Sequence, residues 1–203
     1  MEPRVSAVLL AAGSSTRMGQ PKLLLPLGNK PVIRHCIDTL AAADIRDIVA
    51  VVSMSGNGIV EALRDSPAVL AVNRIPGSDM AESVRTGLGE LKGSPSGVLV
   101  CLSDHPLVSS ATIKSIIQQH QKTPDSILIP SYQGKRGHPT LFPNAIISGL
   151  FSGSGKTLRN IIRDNAHRVM TIDVDDEGVV LDMDTEEDYH KILQKGGMRN
   201  NEG

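Results

Sequence analysis

Val5-Ser6-Ala7-Val8-Leu9-Leu10-Ala11-Ala12-Gly13-Ser14-Ser15-Thr16-Arg17-Met18-Gly19-Gln20-Pro21-Lys22 is an apolar run that gives way to small residues and then to an arginine and a lysine. The apolar part, Val5 to Leu10, reads as a buried strand, and the rest as the loop at its C-terminal end. A loop of this composition suits a polyphosphate. Small side chains let backbone N–H groups converge on phosphate oxygens, while Arg17 and Lys22 bring fixed positive charge. A plain strand-to-helix connection has the same composition, so the residues alone leave both readings open. Two other phosphate fingerprints are excluded: the Gly13 to Gly19 spacing breaks G-x-G-x-x-G, and Lys22 follows a proline where the P-loop needs G-K-[ST]. Gly153-Ser154-Gly155-Lys156-Thr157 contains G-K-T, but Leu150 stands where the P-loop's first glycine belongs and no strand precedes it.

Outward from this stretch, short β-branched runs alternate with segments of helical periodicity. The strands are expected at Val5 to Leu10, Ile48 to Val52, Val69 to Asn73, Val98 to Leu102, Ile127 to Ile129 and Arg168 to Val174. Helices are expected at Pro31 to Ala43, Asp79 to Lys92 behind a Ser78 or Asp79 cap, Ser109 to Lys122 and Thr185 to Gln194. This alternation predicts an α/β three-layer sandwich on a mostly parallel, Rossmann-like sheet, formed as a single domain over residues 1–195 with a frayed tail at 196–203. Ser131 to Phe142, with Gly134, Gly137 and Pro139, reads as a loop or hairpin beside the sheet.

Composition narrows the function. The 203 residues carry a net charge of -1, no Trp, two Tyr and two Phe, so no basic field for a duplex is present and stacking platforms for single strands are few. No nucleic-acid or membrane partner is expected. Cys36 and Cys101 sit in apolar runs and read as reduced, packed thiols, and Met1 to Leu10 reads as neither a spanning nor a leader segment, so a cytoplasmic protein is expected; a monomer is expected as well.

Three further segments carry chemistry. Ser103-Asp104-His105-Pro106 follows an apolar strand, which sets a carboxylate at the sheet's ligand-binding edge, where it serves either Mg²⁺ or a turn. His105 is given no role. Asp182 and Asp184 stand two apart before a helix that Asp184 or Thr185 can cap. The neighbouring Asp173, Asp175, Asp176 and Glu177 read as a solvated turn. Asn73, Ser78 and Ser83 lie where a base can meet amides and hydroxyls, although Ser83 and Gly87 are equally suited to helix packing. Gly134 to Phe142 combines glycine with Lys135, Arg136 and His138, a composition suited to an anionic second substrate or to a surface hairpin.

The order of residues from Leu10 to Lys22 resembles the L-A-A-G-x-S-x-R-M-G-x-x-K signature of the MobA-like nucleotidyltransferases, and Leu23 to Val32 is similar to the stretch that follows it there. Within that family the chain looks most like the molybdenum cofactor cytidylyltransferases: Arg136 to Phe142 carries their R-G-H-P-x-L-F in full. Ser103-Asp104-His105-Pro106 is similar to G-D-x-P with serine for glycine. Asp182 to Tyr189 is similar to D-x-D-T-P-E-D-[LY] with Glu186 for proline. Gly77 to Gly87 resembles G-[ML]-x-x-S-[LV]-x-x-G with Ser78 and Asp79 added, and Gly153 to Arg159 resembles a G-D-x-G-x-R region with Ser154 for aspartate.

The resemblance implies a nucleotide-diphospho-sugar transferase type of fold and CMP transfer from CTP to the terminal phosphate of molybdopterin, with release of pyrophosphate. It implies that Leu10, Ala11, Ala12, Gly13, Ser14, Ser15, Arg17 and Lys22 hold the triphosphate, with Arg17 on the β and γ phosphates and Lys22 near the α-phosphate. Asp104, Asp182 and Asp184 are placed on Mg²⁺, the two later aspartates unranked, and Arg136 and His138 face the acceptor. Arg17, Lys22 and Asp104 form the expected catalytic set. CTP preference is expected from a pocket reading the pyrimidine edge at Ala12 and near Asn73, with purines rejected by shape. A client molybdoenzyme of the xanthine dehydrogenase type is an implied partner. Guanylyl transfer, cytidylyl transfer to a sugar-alcohol phosphate, a non-catalytic molybdopterin chaperone and a dinucleotide dehydrogenase are the competing readings.

Overall fold

The structure, a computed structural model, describes residues 4–13, 21–151 and 156–199. Its sheet is built from β1 (Val5–Ala11), β4 (Ile48–Ser53), β5 (Val69–Asn73), β6 (Gly97–Leu102), β7 (Ile127–Tyr132), β8 (Lys135–Arg136), β9 (Thr140–Pro143) and β10 (Val169–Asp173), while β2 (Pro26–Leu27) and β3 (Lys30–Pro31) form a small separate ribbon. The strand order is β10-β7-β9-β6-β1-β4-β5, with β8 paired to β7. β1 runs parallel to both β4 and β6, pairing Ala7 with Ile48 and with Leu99. Two of the sheet's strands are reversed: β9 pairs antiparallel to β6 and β7, and β8 antiparallel to β7.

Each central strand is apolar on both faces because helices cover both sides. Leu9, Ala50, Val52 and Leu99 join one core layer with residues of α1 (Val32–Ala42), α4 (Ser110–Lys122) and α7 (Glu186–Arg199), close to α2 (Asn57–Ala62). Val8, Val49, Val51 and Val100 join the other with α3 (Met80–Gly89), α5 (Asn144–Ile147) and α6 (Leu158–Asp164). On that side Gly87 permits close helix–sheet approach, since a Cβ there would lie 2.4 Å from Val8 Cγ1. The expected three-layer architecture is therefore present. No helix among the described residues is long and apolar enough to cross a membrane.

Three elements differ from expectation. The segment read as lying beside the sheet contributes β9 to its interior, where Thr140, Leu141, Phe142 and Pro143 are all buried. α7 runs through Gly196 to Arg199, so residues 196–199, expected as frayed tail, are helical. Gly196 is buried against Leu27 and Leu107, and this packing outweighs the glycine stop signal. Asp176 is 4% exposed rather than part of a solvated turn: it accepts from Ser109 N at 2.8 Å, Thr112 Oγ1 at 2.7 Å and Gly178 N at 3.1 Å.

Candidate functional site

The chain runs outward from β1 through β4 to β5, then returns on the other side of β1 as β6. That reversal opens a crevice at the C-terminal ends of the strands, the usual ligand position in open α/β sheets. Ala12 and Gly13 leave β1 on one side of it, and Asp104 leaves β6 on the other. Ser14, Ser15 and Arg17 lie outside the described residues.

On the β4–β5 side is a cleft of about 980 Å³ lined by Ala11, Ala12, Gly13, Asn73, Ser78 and Ser83 among others. Ala11, Ala12 and Gly13 of the expected first-loop set and Asn73, Ser78 and Ser83 of the base side are thus brought to one cavity. Leu10, next to last in β1, is half-buried. Asn73, 5% exposed, organises the floor: its Nδ2 donates to Ser78 Oγ at 2.7 Å and Ser83 Oγ at 2.9 Å, while its Oδ1 accepts from Ile75 N at 3.0 Å. Asp79 caps α3 by accepting from Glu82 N at 2.9 Å, which leaves Ser78 outside the helix and facing the cleft. Exposed Met54 and Ile75 supply apolar wall.

On the β6 side the site is charged. Lys22, on the short 3-10 turn Lys22–Leu24 anchored by buried Leu23, donates from Nζ to Asp104 Oδ2 at 3.1 Å and to Asp184 Oδ1 at 3.0 Å. Residues more than 160 positions apart therefore converge. Burial alone would lower the Lys22 pKa, but Asp104 and Asp184 together outweigh it and hold the ammonium above its ordinary 10.5. The alternative cap roles also separate. Thr185 and Asp188 cap α7 reciprocally, with Asp188 Oδ2 accepting from Thr185 N at 2.9 Å and Thr185 Oγ1 accepting from Asp188 N at 3.2 Å, which leaves Asp184 to face Lys22. Asp182 is exposed.

Behind Asp104 stand two imidazoles that the sequence did not group. His105, given no role above, is 8% exposed; its Nε2 lies 3.9 Å from Asp104 Oδ1 and its ring centroid 5.3 Å from that of His138. His138 backbone N donates to Val179 O at 2.8 Å, and Gly137 fits only as glycine, since a Cβ would lie 2.1 Å from Val179 O. Burial first, then His105, pushes the His138 pKa down to about 4 against a pull from Asp104, so this imidazole is neutral rather than cationic. Arg136 is exposed on β8. Cys36 and Cys101 line the small cavity beneath these rings, and burial pushes the Cys36 thiol up to about 12, which keeps it protonated.

The donor set fits a divalent ion. Mg²⁺ is commonly held by one or two carboxylates with phosphate oxygens and water completing its shell, and the structure offers Asp104 and Asp184 around a cation already in place. Among the described residues Asp104 Oδ1 is buried without a hydrogen-bond partner, as suits an oxygen that takes a ligand. Among the described residues no group of three His, Cys, Asp or Glu side chains forms a metal cage by itself.

The profile of the MobA-like NTP transferase domain matches residues 7–169. Nicotine blue oxidoreductase of Paenarthrobacter nicotinovorans is 27% identical, over 94% of this chain and 97% of that protein. Bifunctional protein GlmU of Clavibacter sepedonicus is 33% identical over 63% of this chain, which spans 27% of that longer protein. Chloroplastic 2-C-methyl-D-erythritol 4-phosphate cytidylyltransferase of Oryza sativa is 32% identical over 58% of this chain and 40% of that protein. Among solved structures, Rv0371c of Mycobacterium tuberculosis superposes with a TM-score of 0.75 at 26% identity, covering 96% of this chain and 99% of that one. A nucleotidyl transferase of Methanothermobacter thermautotroptrophicus shares the fold at a TM-score of 0.82 and 20% identity, covering 97% and 99%. A manganese complex of Rv0371c, at 23% identity over 96% and 100% of the two chains, has a TM-score of 0.72.

Proposed function

The chain belongs to the MobA-like NTP transferase family, and from that premise we propose that it transfers CMP from CTP to the terminal phosphate of molybdopterin, releasing pyrophosphate. The observation that carries the transferase reading is the convergence of Lys22, Asp104 and Asp184 beside a hydroxyl-lined cleft. The cytidylyl and molybdopterin assignments rest on the Arg136 to Phe142 motif and on Leu10 to Gly13.

In this reading the nucleoside lies in the Asn73 cleft and the triphosphate runs across Gly13 toward Lys22. Asp104 and Asp184, with Asp182 as an outer contact, would hold a divalent ion, which would supply neutralisation of phosphate charge. The acceptor is already an anionic phosphate, so no side-chain base is needed. Its oxygen bonds to the α-phosphorus as the bond to the β-phosphate breaks, and pyrophosphate leaves with the electron pair. Lys22 offers its ammonium to charge that redistributes at the α-phosphate, and Arg17 is assigned to the β and γ phosphates. Arg136 supplies charge to the acceptor; His138, being neutral, contributes a hydrogen bond at most. Asn73 spends both amide donors on Ser78 and Ser83, so the base is read by those hydroxyls and the Ala11 to Gly13 backbone.

Pyrophosphate release with each of the four ribonucleoside triphosphates, with and without molybdopterin, tests the proposal. Release with CTP that depends on molybdopterin is expected; equal rates with CTP and GTP remove the cytidylyl assignment and leave the transferase class. A second reading, a redox activity on this scaffold, is favoured by the relative that matches end to end and is named an oxidoreductase. Oxidation of NADH or NADPH without pyrophosphate release would select it.

A further inference from the structure

We propose that Lys22 is a resident counter-cation that keeps divalent metal out of the Asp104–Asp184 pair until nucleotide arrives, so that metal loads together with the phosphates rather than ahead of them. This rests on the reading of those aspartates as metal carboxylates. The lysine Nζ stands nearly equidistant from the two, 3.1 Å from Asp104 Oδ2 and 3.0 Å from Asp184 Oδ1, and so fills the space between the oxygens that a shared ion would use. Mg²⁺ or Mn²⁺ bonds carboxylate oxygens at roughly 2.1 Å, a shell that admits no ammonium between the same two oxygens. An ion entering with Lys22 in place would also meet an ammonium in a partly desolvated setting, where like charges repel strongly.

The backbone cannot relieve this. Pro21 precedes Lys22, Leu25 N closes the turn on Lys22 O at 3.3 Å, and Leu23 is buried, so displacement falls to the flexible four-carbon side chain. A triphosphate provides what that movement needs. Its oxygens give the ammonium a new anionic partner, and they complete the shell of an ion that two carboxylates hold incompletely. The same lysine thus couples two ligands: phosphates draw it away, and its departure opens the carboxylate pair. Metal and nucleotide should each raise the affinity of the other.

Mn²⁺ binding to the full chain, followed by the electron paramagnetic resonance signal of free Mn²⁺, reads this without turnover. Without nucleotide, wild type should bind Mn²⁺ weakly at this pair, and Lys22→Met should bind it at least tenfold more tightly, while CTP should tighten wild type far more than the variant. Lys22→Gln, which keeps a polar group between the carboxylates, serves as the second variant should Lys22→Met prove unstable in thermal unfolding, and it should show the same sense of change. Equal Mn²⁺ affinity of wild type and both variants without nucleotide overturns the proposal. If CTP-dependent Mn²⁺ binding by wild type is then still lost in Asp104→Asn, the carboxylate reading survives that failure. Absence of Mn²⁺ binding by wild type even with CTP overturns both.

Discussion

The two sides of the crevice are built on different physics. The β4–β5 side, around Asn73, is neutral, roomy and held by amide–hydroxyl hydrogen bonds among residues at most ten positions apart. The β6 side is charged and tightly coupled, joining Lys22, Asp104 and Asp184 from three distant parts of the chain, with His105 and His138 packed behind. A neutral wall can recognise a nucleoside without favouring any charge state of the reaction. A cluster of opposed charges in a partly dry site acts most strongly where charge moves. On the proposed function, this difference assigns recognition and chemistry to separate ends of one crevice.

The strongest attempt to break that division is Asp104→Asn, which should lower turnover by about three orders of magnitude or more, through loss of metal and phosphate neutralisation. Unfolding stability should change by only about 1 kcal/mol, because the carboxylate is partly exposed and Lys22 keeps Asp184. Steady-state rates and denaturant titrations on the same preparation check both; near-parental turnover at saturating Mg²⁺ would make Asp104 a turn residue.

The next effect is acid sensitivity. Folded His138 stays neutral down to about pH 4, whereas an unfolded histidine titrates near 6.5. As pH falls between those values the unfolded state takes up a proton that the folded state refuses. Stability is therefore full above about 6.5 and lost below it, by about 3 kcal/mol when pH 4 is reached. His138→Gln should flatten this limb in chemical denaturation at pH 7 and 4.5, whereas Asn73→Ala should leave it unchanged.

The smallest effect sharpens the comparison from the other side. Ser83→Ala removes a hydroxyl that accepts from Asn73 without touching the charged cluster, and should raise the KM for CTP by about tenfold with kcat within about threefold. Steady-state kinetics decide it: a fall in kcat with KM unchanged would place Ser83 in the chemistry.

The neutral side was the more legible in sequence, because its residues are near neighbours on two elements whose periodicity is plain. The charged side was legible only in part. Asp104 follows a strand of unbroken apolar residues, and its position at the sheet's edge follows from that alone. Asp182 and Asp184 could not be separated by spacing, since both stand in the short approach to one helix; the Thr185–Asp188 cap and the Lys22 contact distinguish them. Asp176 was misplaced on the surface, and His105 was given no role, for one reason. Their burial depends on partners more than 60 positions away, the Gly178 carbonyl for His105 and Ser109 with Thr112 for Asp176, and local polarity carries no trace of these. β9 escaped because a four-residue strand behind Pro139 has too few positions to show alternation, and its pairing comes entirely from β6 and β7.

The measurement that tests the division of labour most directly is the pair of kcat and KM for CTP in Lys22→Ala. A positively charged donor acting on developing charge contributes about 3 to 4 kcal/mol, so kcat should fall by about two to three orders of magnitude with a much smaller change in CTP binding. A rise in KM with kcat at saturation unchanged would contradict this account and assign Lys22 to ground-state binding.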